Sequence, residues 1–163
     1  MFEFDLAATA DKPTLYRDLR AALDGLTAGE PDAIANMANA AALLWEYLPD
    51  LNWAGFYRVT APDMLVLGPF QGKAACIRIP FGQGVCGTAA ATREVQLVAD
   101  VQAFPGHIAC DAASASELVV PIVVDGRLIG VLDLDSPLAA RFDAEDAAGC
   151  AALMDLLGPR TAS

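Results

Sequence analysis

The sequence predicts an α+β fold in which helices flank a central antiparallel sheet. Three observations carry that expectation. Apolar residues recur at helical spacing near both ends of the chain, they alternate with a period of two between Asn52 and Asp135, and the alternating segments are joined by connections too short for parallel crossovers.

Leu15, Leu19, Ala22, Leu23 and Leu26 form the first helical stripe, with Thr14 as its cap and the region from Gly25 to Gly29 as its stop. A second helix is expected from Pro31, a residue suited to a first turn. Its stripe of Ile34, Met37, Ala41, Leu44, Trp45 and Leu48 should pack on the core and end at Pro49. Period two begins at Asn52, where Trp53, Gly55, Tyr57 and Val59 alternate with Ala54, Phe56 and Arg58; MLVLGPF and KAACIRIP read as the next strands of a meander. In the third strand Ala75, Ile77 and Ile79 share one face, so Cys76 should point away from that apolar row. After Pro80 come a glycine loop from Gly82 to Gly87, a short helix through TAAATRE, a strand QLVADV and an irregular loop from Ala103 to Ala113. SELVVPIVV and RLIGVLDLD are two more strands, joined by a tight hairpin at Asp125-Gly126. The last helix starts after Asp143, an N-cap with Asp146 three residues on and Phe142 as a hydrophobic staple; Ala147, Cys150, Met154 and Leu157 form its inner face. No repeat or linker divides the chain. A single domain over residues 1–163 is expected, with helices at about 14–48, sheet and loops at about 52–136, a closing helix at about 143–157, and the helices covering one face of the sheet.

Composition narrows the function. With 55% hydrophobic and 19% charged residues in a chain of 163, a sizeable core can form without disulfide staples, and much of the apolar excess is alanine rather than membrane-length runs. The formal net charge of −11 opposes binding to nucleic acid or to an anionic membrane. The first residues, MFEFDLAATADKPT, carry acidic groups where a secretory signal carries positive charge, so a cytoplasmic location is expected. In that reducing compartment any disulfide should be transient and catalytic.

The stretch from Gly68 to Asp111 concentrates the chemistry: it holds three of the four cysteines and the only histidine. Gly82-x-Gly84-x-x-Gly87 has the dinucleotide-binding spacing, but the helix between Gly87 and Gln96 is too short for the parallel crossover such a site needs. Cys76, Cys86, His107 and Cys110 are a set that zinc uses, yet only His107 and Cys110 have the close spacing of paired ligands. Thiol redox chemistry at Cys110 fits better. His107 lies three residues upstream, where an imidazole favours thiolate unless it is only a surface side chain, and Cys76 and Cys86 are two thiols able to resolve a sulfenic acid. Asp133 and Asp135 share one face of their strand, where two like charges raise the pKa of one toward that of a proton donor at neutral pH, and Glu117 at the start of the preceding strand is a candidate to join them across the hairpin; without the cysteines the three would read as solvated carboxylates on a polar strand face. Cys150 reads as core.

The runs NWAGFY, LVLGPFQGKAAC, GQGVCGTA, GHIACDAAS and GVLDLDS followed by RFDAED resemble the free methionine-(R)-sulfoxide reductases, enzymes with the GAF fold. The resemblance runs from about Trp45 to Asp146 and includes the cysteine spacings. It implies Cys110 as nucleophile, Cys76 or Cys86 as resolving thiol, Trp53 and Tyr57 around the substrate methyl group, and Glu117, Asp133 and Asp135 on its amino group and sulfoxide oxygen. It further implies no bound cofactor, thioredoxin as reductant at the indirect expense of NADPH, and a homodimer. The alternative is a non-catalytic GAF sensory module that binds a small ligand or senses oxidation. The chain ends soon after Gly158, so no output domain of the kind to which such modules are usually joined is expected.

Overall fold

The computed structural model describes Phe4, residues 11–106 and residues 112–162. In chain order the elements are α1 (Lys12–Thr27), α2 (Ala33–Tyr47), β1 (Trp53–Ala61), β2 (Met64–Gly72), β3 (Arg78–Pro80), α3 (Gly84–Thr92), β4 (Gln96–Val98), β5 (Ser116–Val124), β6 (Arg127–Ser136) and α4 (Ala144–Leu157).

Local chemistry sets the helix ends. Asp11, not Thr14, caps α1: its carboxylate accepts the Thr14 backbone N–H at 2.8 Å, and Pro13 occupies the first turn. Asp32 does the same for α2 through the Ala35 N–H at 2.8 Å, which leaves Pro31 just outside the helix rather than in its first turn. At α4 the expected capping box forms between Asp143 and Asp146.

The six strands form one antiparallel sheet in the order β3-β2-β1-β6-β5-β4. Asp125 and Gly126 both have positive φ, 51° and 74°, the conformation a two-residue hairpin with native twist requires. Period-two alternation then divides the side chains between two cores. Ala54, Phe56, Leu118, Val120, Leu132 and Leu134 face α1, α2 and α4 in the larger one. On the other face Tyr57, Val119 and Val131 pack against Val85, Cys86, Ala89 and Ala90 of α3. The helices therefore do not all cover one face. α3 starts at Gly84, within the expected glycine loop, and ends at Thr92; its small residues leave no apolar stripe to assign it a face, and they let it lie close: a Cβ on Gly87 would stand 2.4 Å from the Pro80 carbonyl oxygen. Two members of the α2 stripe, Ile34 and Trp45, are exposed rather than core.

α1 and α4 are joined by a buried polar knot. Asp146, 1% exposed, accepts from the Tyr16 hydroxyl at 2.8 Å, from Lys12 at 2.7 Å and from Arg141 at 3.1 Å. Cys150 is fully buried beside it, with Sγ 3.7 Å from the Tyr16 hydroxyl, and burial pushes its thiol up to about 12, so it is a neutral core group as expected. Gly149 lies under the Tyr16 ring, where an added Cβ would be 2.2 Å from Cγ. Gly149→Ala should therefore lower stability by about 2 kcal/mol, because the hydroxyl bond to Asp146 keeps the ring from moving aside. At an open helical site the same change stabilises by ~1 kcal/mol. The sign of the shift in urea midpoint decides between the two.

Candidate active site

The two central strands place the site. Trp53 pairs with Asp135, Gly55 with Asp133 and Tyr57 with Val131, while on the other side of β6 Glu117 pairs with Asp135 and Val119 with Asp133. Residues opposite one another share a face, so Trp53, Tyr57, Glu117, Asp133 and Asp135 all project toward α3. Gly55 lets the aromatic rings spread over the strand, since a Cβ there would stand 2.7 Å from the Trp53 indole. Trp53 stacks on Tyr57 at 5.8 Å and on Phe70 at 5.2 Å between centroids.

These aromatics also hold the segment that covers them. The Trp53 indole N–H donates to the Lys73 carbonyl at 3.1 Å, and the Tyr57 hydroxyl to the Cys76 carbonyl at 3.1 Å. This corrects the third strand expected at KAACIRIP, which is reduced to Arg78–Pro80 because Tyr57 and Trp53 engage the preceding carbonyls. Cys76 does not face away from the apolar row; it packs with Ala75 against the same core that contains Ile79. Trp53, Tyr57, Lys73, Ala74, Ala75, Asp133 and Asp135 enclose a cavity of about 20 Å³.

Beneath the aromatics lie three buried ionisable groups. Cys86, near the start of α3, donates from Sγ to Glu117 Oε1 at 3.9 Å, and an oxygen of Asp133 lies within 4.8 Å of both groups. All three are less than a tenth exposed. Burial, then the charges of Asp133 and Asp135, hold the Glu117 carboxyl well above its ordinary range. Burial raises Asp133 to about 6, and its Oδ1 has no hydrogen-bond partner among the described residues. Burial and the neighbouring carboxylates push the Cys86 thiol well above its usual value, so at neutral pH it is a thiol and not a nucleophilic thiolate. Cys76 is disulfide-bonded, whereas Cys86 and Cys150 are free. Cys110 and His107 lie outside the described residues.

The GAF domain family matches residues 35–158 of the chain. The free methionine-R-sulfoxide reductase of Escherichia coli is 56% identical over 139 residues, which is 85% of this chain and 84% of that protein. The enzyme of the same name from Saccharomyces cerevisiae is 46% identical, covering 79% of this chain and 76% of its own. The X-ray structure of free methionine-R-sulfoxide reductase from Neisseria meningitidis in complex with its substrate superposes with a TM-score of 0.94 at 47% identity, covering 99% of this chain and 96% of that one. The chain belongs to the free methionine-R-sulfoxide reductases of the GAF fold.

The arrangement places an aromatic wall of Trp53 and Tyr57 over two buried carboxyl groups, Glu117 and Asp133, whose pKa values burial raises. Cys86 Sγ and one oxygen each of Glu117 and Asp133 lie within 4.8 Å of one another, so these three are the described side chains able to converge on a metal ion. They differ from the zinc set weighed from the sequence, in which Cys76 cannot act as a thiolate while disulfide-bonded. The glycine pattern opens α3 at Gly84 and lies between β3 and β4, at opposite edges of an antiparallel sheet, which is not a parallel dinucleotide unit. Sequence reasoning missed two contributors. Phe70 is legible only through its register opposite Gly55, and Lys73 enters through its backbone carbonyl, which no residue pattern reports.

Proposed function

We propose that this chain reduces free L-methionine (R)-sulfoxide to methionine, with Cys110 as nucleophile and Cys76 as resolving thiol. The observation that carries the reading is the buried Glu117–Asp133 pair, whose carboxyl groups burial shifts upward, beneath the Trp53 and Tyr57 rings and beside the small cavity that Asp133 lines. The thiolate of Cys110 attacks the sulfoxide sulfur while Glu117 protonates the departing oxygen; the oxygen is passed to Cys110, leaving methionine and a sulfenic acid. The Cys76 thiol then attacks that sulfenic sulfur, forming a disulfide and releasing water. A dithiol reopens the disulfide by exchange and is itself oxidised. Support for Cys76 over Cys86 comes from its disulfide-bonded state and from the high pKa of Cys86, which keeps that thiol a poor attacking group.

Asp133 and Asp135 with Glu117 form an acidic wall that can pair the ammonium of a free amino acid, a group that methionine within a protein lacks. The physiological dithiol in this proposal is thioredoxin, reduced indirectly by NADPH, and the working form is a cytoplasmic homodimer of single-domain chains that holds no cofactor. Among the described residues no helix is long and apolar enough to cross a membrane.

The test is chiral analysis of racemic free methionine sulfoxide after incubation with the protein and dithiothreitol, beside a sulfoxide-containing peptide. Selective loss of the free R form is expected. If neither enantiomer changes, the proposal fails and the sensory alternative replaces it. Replacing the resolving thiol separates two phases: Cys76→Ser should slow thioredoxin-coupled turnover at least about tenfold while leaving the first turnover within about twofold. Equal losses in rapid-quench and steady-state assays would remove Cys76 from the resolving role.

A further inference from the structure

We propose that a second cavity, at the far end of the two central strands, binds a small organic anion through Arg58 and Arg127. The ladder between β1 and β6 runs from Trp53↔Asp135 to Arg58↔Gly130 and stops there. Both strands continue past that point in pairs with their other neighbours, at Ala61↔Met64 and Val124↔Arg127. β1 and β6 therefore diverge, and Thr60 and Leu128, which a continued ladder would pair, instead line a cavity of about 340 Å³. That is the size of a small-molecule site, and it shares no lining residue with the candidate active site.

Its charge is opposite to that of the molecule. The chain carries a net −11, and Arg17, Arg141 and Arg160 are each paired with an aspartate. Arg58 is half-buried, makes no ion pair among the described residues, and has a buried Nε without a hydrogen-bond partner. Its methylene stem packs against β2, where a Cβ on Gly68 would stand 3.3 Å from Arg58 Cγ. A buried, unpaired N–H beside a cavity is a donor awaiting an acceptor. Arg127 spends one Nη on the Ala162 carbonyl at 3.0 Å, and a guanidinium has further donors to offer. Among the described residues no aspartate or glutamate lines the cavity, so none of them neutralises either arginine from its walls. The remaining wall includes Ala33, Met37 and Leu128, which suits an apolar body. A carboxylate or phosphate on a small apolar group matches both halves, with the two planar guanidinium groups making charge-assisted bonds to its oxygens.

The experiment is a titration of the ¹⁵N-labelled full chain with phenyl phosphate, benzoate, inorganic phosphate and benzyl alcohol, followed by amide shifts. Saturable shifts confined to residues 58–61 and 127–129 are expected for phenyl phosphate, benzoate or both, with Kd below about 1 mM. Whichever of the two binds more tightly identifies the anionic group. R58M and R127M should each weaken that binding at least about tenfold while the rest of the spectrum, and sulfoxide reduction by R127M, stay as in the parent chain. The proposal is overturned by the absence of saturable shifts, by unchanged binding in both variants, or by equal binding of benzyl alcohol. Inorganic phosphate binding as tightly as phenyl phosphate overturns the apolar half of the site.

Discussion

Cys110→Ser should abolish reduction of free methionine (R)-sulfoxide, lowering turnover by roughly a thousandfold or more while the protein stays folded. The loss follows from what the residue must do twice. A serine hydroxyl is not appreciably ionised at neutral pH and so attacks sulfur weakly, and an oxygen passed to it would form a peroxide rather than a sulfenic acid that a thiol can reduce. The first turnover should vanish together with the steady state, unlike the split expected for Cys76→Ser. Mass spectrometry with a sulfenic-acid trap after one equivalent of substrate supplies a second readout: parent chain lacking its resolving thiol should gain the adduct, and the same chain carrying Cys110→Ser should not. Retained turnover in Cys110→Ser would transfer the nucleophile elsewhere, and Cys86, kept as a thiol by Glu117 and Asp133, is badly placed to take the role.

Glu117→Gln should reduce kcat by roughly 10²–10⁴-fold and at the same time stabilise the protein once the pH is above the ordinary Glu117 value of 4.5. The amide keeps the shape of the side chain but has no acidic proton for the leaving oxygen. The stability change has a definite sign. Glu117 titrates near 4.5 when exposed and well above that when folded, and Asp133 moves from 3.8 to about 6. Between each pair of values the native state binds more protons than the unfolded chain, so stability falls as pH rises through the window. Removing Glu117 removes its share of that fall. The advantage of the variant over the parent should be small at pH 4, below the ordinary Glu117 value of 4.5, and larger at pH 8. Urea denaturation at the two pH values measures it. A variant less stable at pH 8 than at pH 4, relative to the parent, would mean that Glu117 is ionised and favourably paired in the native chain.

Several features of the site were legible in the chain itself. The alternation in RLIGVLDLD places Asp133 and Asp135 on one face, and the Asp125-Gly126 turn joins their strand to that of Glu117; a register shift between Ile122 and Val123, which the turn does not report, then sets Glu117 opposite Asp135 rather than Leu134. The capping box at Asp143 and the burial of Cys150 follow equally from local chemistry. Cys76 was misplaced for a reason that no alternation pattern contains. Its segment would have paired as a strand, but the Trp53 indole and the Tyr57 hydroxyl, about twenty residues earlier, engage its carbonyls and draw it over the aromatic rings. Ile34 and Trp45 were assigned to the core because an apolar stripe reports what a helix can bury, whereas the width of the surface it meets decides how much of it is buried.

What the sequence determined by itself was most of the elements, the alternation of faces within the long strands, and the shared face of Asp133 and Asp135, since these depend on periods of two and 3.6 and on turn chemistry between near neighbours. Tertiary structure alone decided that α3 covers the face opposite the other helices, that Cys86 meets Glu117 and Asp133, that Cys76 rather than Cys86 is disulfide-bonded, and that β1 and β6 part beyond Arg58. Each of these joins residues remote in the chain. Their energies come from burial and from distances a few ångströms long, and those exist only once the sheet has closed around its two central strands.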